Sequence, residues 1–592
     1  MKRRIADIIM DILVENGITE CFGVVGGGAM HLDNALALND KINKTFNHHE
    51  QASAMAAEAY ARVSGKMAVV CVTSGPGATN TLTGVMGCWQ DSLPMLVLTG
   101  QVRYEISVAQ CGLDLRYRGM QEFDIVHSAK NMTKYANMIT DPLEVKRELL
   151  KAIEIATSGR RGPVLLDIPL DIQSAQVEED DLYPYEKHLN FPVAEEKDIQ
   201  LVMEKLKTAK RPVILAGNGI VNSDNLAQFR NFAKCLNIPV IAACIAADVM
   251  YDEYPKYYGL SGFIGPRTGN FIVQNADVIL SLGCSMGFKM TGYAQDKFAP
   301  NAYIISVDAD ENEMKKPGVR IDYFIHSDLR SFFEKAQNII QEIQTPKEWI
   351  DYCDKLKERF TPFEAAEGVS DEERVCSYRF WKEYEKYEPE NNISILGNNS
   401  ANSAKLQIGI KKENQRIVAN NNCGSMGADL PEAIGAAIAA KQEVICLTGD
   451  GSIMMNLQEL QTIHHYGLPV KVVVFSNDGY NAMRQTNKNF FNGVCIGCSA
   501  ETGVSFPKFE KIADTFGFEY MICHTNGELA YALKEFFKKS GNVLLEIEQK
   551  LDDPVTPKVM SRMNEDGSFA TPSLEDMAPF ISKEEHDALM FW

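Results

Sequence analysis

The chain has 592 residues, of which 45% are hydrophobic and 23% are charged, and its formal net charge is −20. This length exceeds what one hydrophobic core supports, so the composition predicts a soluble globular protein of several domains. The acidic balance argues against a nucleic-acid-binding surface, and no apolar run approaches the length of a membrane span. The 14 cysteines show no regular spacing, which predicts reduced thiols and a cytoplasmic protein.

Three units of alternating strands and helices are expected along the chain. Their predicted boundaries are residues 1–173, 198–344 and 375–549, and a tail follows over residues 550–592. Such alternation is typical of α/β folds with mostly parallel sheets. The tail is mixed in character, so both an ordered arm over a site and a loose terminus are consistent with it. Short apolar runs predict strands at Ala68–Val72, Met95–Leu98, Val164–Ile168, Val213–Ala216, Val240–Ala243, Val278–Leu282, Tyr303–Val307, Val444–Leu447 and Val470–Phe475.

The first unit contains a glutamate at the start of a helix that is rich in small apolar residues. Glu50 follows His48 and His49, and the helix after it is expected to pack inside the protein. An apolar pocket favours the protonated form of a carboxyl group, which suits a residue that relays protons. The alternative is an ordinary first-turn glutamate that interacts favourably with the helix dipole.

Two polar clusters in the third unit each follow a buried strand. They are Gly449–Ser452, which reads GDGS, and Ser476–Gly479, which reads SNDG. Open α/β sheets bind their ligands at the carboxyl ends of the strands. Asp450 and Asn477 offer the oxygen ligands that Mg²⁺ prefers, and the two glycines of the first cluster let the backbone approach a phosphate. The spacing therefore predicts a clamp for Mg²⁺ and a diphosphate.

This pattern resembles the thiamine diphosphate motif, in which a Gly-Asp-Gly turn is followed one strand later by an asparagine pair. The segments Phe22–Ala29, Glu50–Gln51, Ala56–Arg62 and Thr73–Asn80 are similar to the pyrimidine-binding domain of acetolactate synthases. The resemblance covers almost the whole chain. On this resemblance, the chain is identified as a member of the thiamine diphosphate-dependent enzymes of the acetolactate synthase and pyruvate oxidase group. It implies a three-domain α/β architecture, with two similar cofactor-binding domains flanking a central one.

The resemblance also implies which residues hold the cofactor and its metal ion. Asp450, Asn477 and the carbonyl oxygen of Gly479 correspond to the metal ligands. Ser476 replaces the first asparagine of the pair, which is not a ligand in the family. The other residues expected to contact the cofactor are Glu50, Pro76, Asn80, Gly424, Met426, Gly449, Gly451 and Ser452.

Three residues are expected at the reacting groups. Glu50 corresponds to the acid that relays a proton at the aminopyrimidine ring of the cofactor. Gln121 matches a glutamine that lines the acetolactate synthase site, and Gly27 falls at a backbone position close to the reacting carbons. Met426, in a segment similar to the family's GTMG, corresponds to the methionine that supports the cofactor in its bent form.

Two departures from the family concern the substrate. Thr486 stands where acetolactate synthases have a tryptophan that shapes the acceptor pocket, and this replacement makes room for a larger or more polar acceptor. Arg484 adds a positive charge. One possibility is that its guanidinium binds a carboxylate or phosphate group, and the other is that the residue lies exposed on a helix.

The central unit leaves flavin binding open. Acetolactate synthases bind FAD there without using it for redox chemistry. Gly259–Gly262 resembles a turn of that family, and Ala216–Gly219 adds another glycine turn. The arginine that contacts the flavin is absent, because the corresponding stretch Gly283–Gly287 reads GCSMG.

The resemblance implies a decarboxylating carboligase that depends on thiamine diphosphate and Mg²⁺ and uses pyruvate as the donor. The alternatives are a carboligase or decarboxylase acting with another acceptor, such as a sugar or an aldehyde, and a cofactor-binding scaffold without catalysis. In the family the two cofactor-binding domains of a site come from different subunits. A homodimer or homotetramer with sites at the subunit interface is therefore expected, with no nucleic-acid or membrane partner.

Overall fold

The computed structural model describes residues 2–187, 191–563 and 569–591, so parts of the predicted linker and tail lie outside the described residues. Within these ranges the chain forms three six-stranded parallel sheets flanked by helices. This confirms the predicted α/β class and the strands expected from the apolar runs. The exact domain boundaries stay a prediction.

The first sheet has its strands in the spatial order 2-1-3-4-6-5, counted along the chain. This order reverses between strands 1 and 3, which is the kind of switch point where open α/β sheets bind ligands. In spatial order the strands are Asn43–Phe46, Glu20–Val24, Ala68–Val72, Met95–Gln101, Pro163–Pro169 and Tyr135–Met138. The α-helices are Ile5–Glu15, Met30–Leu38, Glu50–Ser64, Pro76–Asn80, Leu82–Asp91, Val108–Cys111, Ile125–Ala129, Val145–Thr157 and Leu170–Ser174.

The third sheet repeats the strand order 2-1-3-4-6-5. The first and third units therefore share one topology and place a switch point at the same strands. In spatial order the strands are Arg416–Val418, Ile393–Leu396, Val444–Gly449, Val470–Ser476, Val543–Glu548 and Glu519–Cys523. The α-helices are Ser377–Tyr387, Ser400–Ile408, Asp429–Ala440, Asp450–Ile453, Glu459–Tyr466, Asn481–Phe490, Phe509–Phe516 and Leu529–Lys538.

The central sheet has a different order, 3-2-1-4-5-6, with its switch point between strands 1 and 4. In spatial order the strands are Tyr257–Ser261, Val240–Ala243, Pro212–Ala216, Val278–Leu282, Tyr303–Asp308 and Tyr323–His326. The α-helices are Glu196–Thr208, Gly219–Asn222, Leu226–Leu236, Arg267–Asn275, Phe288–Thr291, Asn312–Lys315 and Leu329–Ala336, followed by Lys347–Arg359 before the third unit.

The first and third units pack directly on each other through helices Glu50–Ser64 and Asp429–Ala440. A Cβ atom at Gly435 would lie 1.9 Å from the carbonyl oxygen of Ala56, so the two helices approach too closely for a larger residue there. Small residues on both helices permit this contact, which explains the run of alanines after Glu50.

The tail packs on the central unit. Arg267 donates to the carbonyl oxygen of Met577, and Asn270 donates to that of Leu574 at 2.9 Å. The ring of Phe591 lies edge-on to Tyr352, with centroids 4.9 Å apart. Of the two possibilities left open by the sequence, the described part of the tail is an ordered arm, with its helix at Lys583–Ala588. Among the described residues, no helix is both long and apolar enough to cross a membrane.

Candidate active site

Asp450 lies directly after strand Val444–Gly449 and receives three backbone hydrogen bonds. Its Oδ2 accepts from the N–H groups of Asn477 at 2.9 Å and Gly479 at 3.3 Å, and its Oδ1 accepts from Gly451 at 2.8 Å. Burial raises the pKa of Asp450 to about 6, although these three N–H groups act in the opposite direction. The two polar clusters of the sequence therefore meet around one buried carboxylate.

The amide of Asn477 is held in one orientation beside this carboxylate. Its Nδ2 donates to Gln549 Oε1 at 3.0 Å, and its Oδ1 accepts from Arg484 Nη2 at 3.3 Å. An amide oxygen has two lone pairs, so Oδ1 keeps one for a metal ion. Arg484 does not follow either expectation from the sequence. Its guanidinium is half-buried and donates at 2.9 Å to the carbonyl oxygens of Asn477 and Leu551, so it braces the loop.

Glycines keep the backbone of this loop closely packed. A Cβ atom at Gly451 would lie 2.2 Å from the ring of Tyr480. At Gly479, where φ is 149°, it would lie 2.0 Å from the carbonyl oxygen of Cys498. Both positions therefore require glycine.

The turn that contains Met426 is tied to the same loop. Ser452 Oγ accepts from the Gly427 N–H at 2.9 Å and donates to Asp429 Oδ2 at 2.6 Å. Asn456 Nδ2 donates to the carbonyl oxygen of Gly427 at 2.7 Å. The structure thus brings together one group of predicted cofactor residues in the third unit: Gly424, Met426, Gly449, Asp450, Gly451, Ser452, Asn477 and Gly479.

A cavity of about 330 Å³ adjoins this group at Gly424. It is lined by Gly397–Asn399 and Ala419–Ser425 of the third unit and by Ile264 and Lys289 of the central unit. Among the described residues, the first unit contributes none to this lining.

Sequence reasoning missed Asn398 and Asn399, which line this cavity. Asn398 Nδ2 donates to the carbonyl oxygen of Gly424, and Asn399 Oδ1 caps helix Ser400–Ile408. Both follow strand 1 of the third sheet directly, so they lie at the switch point beside the Asp450 loop. The apolar run Ile393–Leu396 before them was a signal that could have revealed them.

Glu50 forms a second group of predicted residues in the first unit. Its Oε2 accepts from Asn80 Nδ2 at 2.9 Å, and Asn80 ends the short helix that Pro76 begins. Gly75, just before that helix, has φ of 56°, and a Cβ atom there would lie 2.3 Å from the carbonyl oxygen of Gln121. The loop Gly75–Asn80 therefore runs between Glu50 and Gln121.

The turn around Gly27 packs on the start of the same loop. The Gly28 N–H donates to Thr73 Oγ1 at 2.9 Å, and the Gly26 N–H donates to Asp33 Oδ2 at 3.1 Å. A Cβ atom at Gly27 would meet nothing within 4 Å, so its backbone faces open space. Since these turns follow strands 1 and 3 of the first sheet, this second group also lies at a switch point.

The backbone around Glu50 is anchored to the third unit. Glu459 is fully buried and accepts from the His48 N–H at 3.0 Å and from Asn47 Nδ2 at 2.9 Å. Gln51 Oε1 accepts from Asn456 Nδ2 at 3.2 Å. His49 caps the helix, because its Nδ1 accepts from the Gln51 N–H at 3.0 Å. Glu50 itself is half-buried in the single chain.

A buried ionic cluster further along this helix holds the cavity wall in place. Arg62 contacts Glu58 at 3.0 Å and Asp91 at 2.6 Å. Glu58 Oε2 accepts from Asn420 Nδ2 at 3.0 Å, and Asp91 Oδ1 accepts from Asn422 Nδ2 at 2.6 Å. Two asparagines of the cavity lining are therefore oriented by acids of the first unit.

Three models of thiamine pyrophosphate enzymes match this chain in the order of its three sheets. The N-terminal TPP binding domain matches residues 3–128, the central domain matches residues 199–336, and the C-terminal TPP binding domain matches residues 396–547. The acetolactate synthase isozyme 2 large subunit of Escherichia coli is 30% identical over 92% of this chain and 95% of its own length.

The chain belongs to the thiamine pyrophosphate enzyme family. Other relatives are a probable acetolactate synthase large subunit of Methanocaldococcus jannaschii, 31% identical over 92% of this chain and 91% of its own, and the acetolactate synthase large subunit of Lactococcus lactis, 28% identical over 95% of each. The resemblance drawn from the sequence motifs is thereby confirmed at the level of the family.

The residues present fit thiamine diphosphate, the cofactor of this family. The turns at Gly451 and Gly479 pack tightly around Asp450, and their N–H groups donate to its carboxylate. The carboxylate of Asp450 and the amide oxygen of Asn477 suit the hard cation that accompanies a diphosphate. Glu50 and the Gly75–Asn80 loop form a separate polar group that suits the pyrimidine ring.

Proposed function

We propose that this protein is a carboligase that decarboxylates a 2-oxo acid, with pyruvate as the donor, and joins the remaining fragment to a carbonyl acceptor. The observation that carries the proposal is the meeting of the two polar clusters around Asp450, together with the hydrogen bond from Asn80 to Glu50. A scaffold without catalysis has no use for a glutamate placed in this way.

Asp450, the Oδ1 atom of Asn477 and the carbonyl oxygen of Gly479 would hold Mg²⁺ together with the diphosphate. Carboxylate, amide and carbonyl oxygens match the preference of this cation, and MgCl₂ should be required for tight cofactor binding. Removal of the metal with a chelator should weaken thiamine diphosphate binding, and Ca²⁺ or Mn²⁺ should restore part of it. Cofactor binding that is unchanged after metal removal would contradict this assignment.

Thiamine diphosphate, when bound, supplies a carbon nucleophile that adds to the donor carbonyl and stores the electrons released when carbon dioxide leaves. The role of Glu50 is to hold and exchange a proton with the ring of this cofactor. Asn80 occupies Oε2, and within the described residues Oε1 has no hydrogen-bond partner, so this oxygen is available to carry the proton. Asn80 thereby orients the carboxyl group.

The test is turnover of pyruvate by the wild type and by Glu50→Gln in the presence of thiamine diphosphate and Mg²⁺. Glutamine keeps the shape and the contact with Asn80 but cannot exchange a proton, so carbon dioxide release should fall by about 10²–10⁴-fold. Glu204→Gln, at an exposed helical position, is the matched control and should behave as the wild type. Full pyruvate turnover by Glu50→Gln with the cofactor bound would refute the proposal.

A second candidate acceptor class, a sugar or another aldehyde, is supported by the surroundings of Thr486. Its hydroxyl donates to the carbonyl oxygen of Ala482 at 3.0 Å, so this short side chain stays close to its own helix and leaves room beside it. Product analysis by mass spectrometry, with pyruvate and a panel of acceptors, separates the cases. Acetolactate indicates a second pyruvate as acceptor, acetaldehyde indicates simple decarboxylation, and a branched adduct indicates a sugar or aldehyde.

We also propose that two copies of the chain complete each site. No described residue of the first unit lines the cavity beside Gly424, whereas Glu50 belongs to that unit. Mixing and refolding Glu50→Gln with Asp450→Ala subunits tests this directly. If each site combines two chains, heterodimers carry one intact site, and activity should recover to about a quarter of wild type in a random C2 mixture. No recovery would show that each chain holds a complete site.

A further inference from the structure

The turn that carries Gln121 has a strained backbone. It comprises Gly119–Glu122 and is closed by a hydrogen bond from the Glu122 N–H to the carbonyl oxygen of Gly119 at 3.4 Å. Gln121 is the third residue of this turn and has φ of 58°, which lies in the left-handed region where turns normally place glycine. A residue persists in this conformation only when its surroundings hold it there, and such residues cluster at functional sites.

The side chain of Gln121 is available to a ligand. It is exposed, and among the described residues its amide has no hydrogen-bond partner. An amide group both donates and accepts, so it can bind the carbonyl or carboxylate oxygen of a 2-oxo acid. The backbone of Gln121 lies against the loop Gly75–Asn80, since a Cβ atom at Gly75 would lie 2.3 Å from the Gln121 carbonyl oxygen. That loop ends at Asn80, the partner of Glu50.

One carboxylate ties this turn to the loop before it. Glu122 Oε1 accepts from the Val108 N–H, and Oε2 accepts from the N–H groups of Arg118 and Gly119 at 2.7 and 2.9 Å. Hydrogen bonds to an ionised acceptor are about twice as strong as those between neutral groups. Because these bonds converge on the residue after Gln121, they leave the turn little freedom to return to a relaxed φ.

The loop that Glu122 closes spans residues 108–119. Ser107 Oγ caps its first helix, Val108–Cys111, and Arg118 Nη1 donates to the carbonyl oxygen of Ser107 at 2.8 Å. Three side chains near its tip are exposed, namely Leu113, Leu115 and Tyr117. Since the tip buries little surface against the described chain, the contacts at the base fix the position of this loop.

The backbone after the turn is held separately by a buried group. Gln101 Nε2 donates to the carbonyl oxygen of Phe123 at 2.9 Å and to Asp167 Oδ2 at 3.0 Å. Thr99 Oγ1 donates to Asp167 Oδ1 at 2.7 Å, and all three polar side chains are buried. The chain therefore stays anchored at Phe123 when the Glu122 carboxylate is changed, so a substitution of Glu122 acts on the turn itself.

We propose that Glu122 is a positioning residue, whose carboxylate holds Gln121 in its left-handed conformation and so aims the Gln121 amide at the substrate. Glu122 does not touch the substrate itself. What the amide binds rests on the proposed carboligase function, whereas the hold of Glu122 on the backbone does not.

Thermal unfolding tests this hold on the backbone without any substrate. Glycine adopts a φ of 58° without strain, so Gln121→Gly should unfold at a temperature about 1–2 °C higher than Gln121→Ala. In a Glu122→Gln background this difference should vanish, because the amide nitrogen of glutamine cannot accept a backbone N–H and the turn can relax. The same difference in both backgrounds would overturn the proposal.

Glu105→Gln is the matched control. Glu105 lies in the turn that precedes the loop, is 66% exposed and pairs only with Arg103 among the described residues. In its background the difference between Gln121→Gly and Gln121→Ala should equal that in the wild type, and pyruvate turnover should be unchanged. Circular dichroism of every variant confirms that it is folded.

A kinetic cycle tests whether Glu122 acts through Gln121. Glu122→Gln should lower kcat/KM for pyruvate by about tenfold, the effect of one misplaced hydrogen bond. The double variant Gln121→Ala/Glu122→Gln should lie within about twofold of Gln121→Ala alone, because a positioning residue has no effect once its target is gone. If the two single losses multiply, Glu122 acts independently and the positioning role is wrong.

The two tests keep this proposal apart from the proposed function. If the wild type releases no carbon dioxide from pyruvate, the carboligase assignment fails, and the unfolding temperatures alone decide whether Glu122 holds the turn. If the wild type turns over pyruvate and the single losses multiply, the carboligase assignment stands and the role of Glu122 falls.

Discussion

Replacing Arg62 with methionine tests whether the buried ionic cluster joins the first and third units. The Arg62 side chain is 5% exposed, and its two partners, Glu58 and Asp91, are 0% and 2% exposed. Burial disfavours the charge of Arg62, but the charges of Asp91, Glu58 and Glu432 outweigh it and raise the pKa of the guanidinium. Methionine keeps the length and the apolar stem but leaves these acids without their cation.

The cost follows from what remains buried. Removing one partner of a buried ion pair costs about 3–5 kcal/mol, because an uncompensated charge stays in the interior. Burial already raises the pKa of Glu58, and without Arg62 this carboxyl group should take up a proton at neutral pH. A protonated Glu58 is a poorer acceptor for Asn420, so the cavity wall should loosen as well.

Differential scanning calorimetry at pH 7 should show a lower unfolding temperature for Arg62→Met, together with weaker thiamine diphosphate binding. Arg103→Met is the control, because Arg103 and Glu105 are 64% and 66% exposed and such pairs contribute about 0–1 kcal/mol. The double variant Arg62→Met/Glu58→Met should recover part of the loss, since apolar groups can replace a buried pair. If Arg62→Met unfolds at the same temperature as Arg103→Met, the cluster does not stabilise the interface.

Three further outcomes are expected. Asn80→Ala should lower the kcat of pyruvate turnover by about tenfold, the worth of one hydrogen bond that orients Glu50, and an unchanged kcat would refute that role. Gly451→Ala should weaken cofactor and Mg²⁺ binding in titrations, because its Cβ would lie 2.2 Å from the ring of Tyr480. Burial raises the pKa of Asp167 from 3.8 to about 7, so the native protein keeps a proton that the unfolded chain releases. The stability contributed by that proton is present below pH 3.8 and is lost as the pH rises towards 7. Thermal scans across this range should show a shallower decline for Asp167→Asn, by up to about 1.4 kcal/mol per pH unit, and parallel curves would contradict the assignment.

The sequence predicted the elements that depend on local pattern. Apolar runs marked the strands, because a strand buried on both faces of a parallel sheet is apolar throughout. Polar residues directly after those runs marked the strand ends, where the Asp450 cluster and the asparagine after strand Val470–Ser476 were found. Glu50 was identified through its place at the start of an alanine-rich helix and through the family resemblance.

The sequence did not predict contacts between loops that are far apart along the chain. Arg484 was expected to meet an anion or solvent, but it binds the carbonyl oxygens of Asn477 and Leu551. The pair Asn398 and Asn399 follows a short strand, and only that strand signalled it in the sequence. The contact of Asn398 with Gly424 depends on which strands become neighbours in the sheet.

By itself, the sequence determined the family and the α/β class, since these are encoded by short motifs and by the periodicity of apolar residues. It also predicted which residues would meet the cofactor. Only the tertiary structure decided how these pieces combine. The strand order of the first and third sheets places the two polar groups at their switch points. Arg62 pairs with acids of the first unit, and these acids orient asparagines more than three hundred residues away along the chain. Sheet order and long-range charge pairing arise from packing of the whole chain, which no local pattern contains.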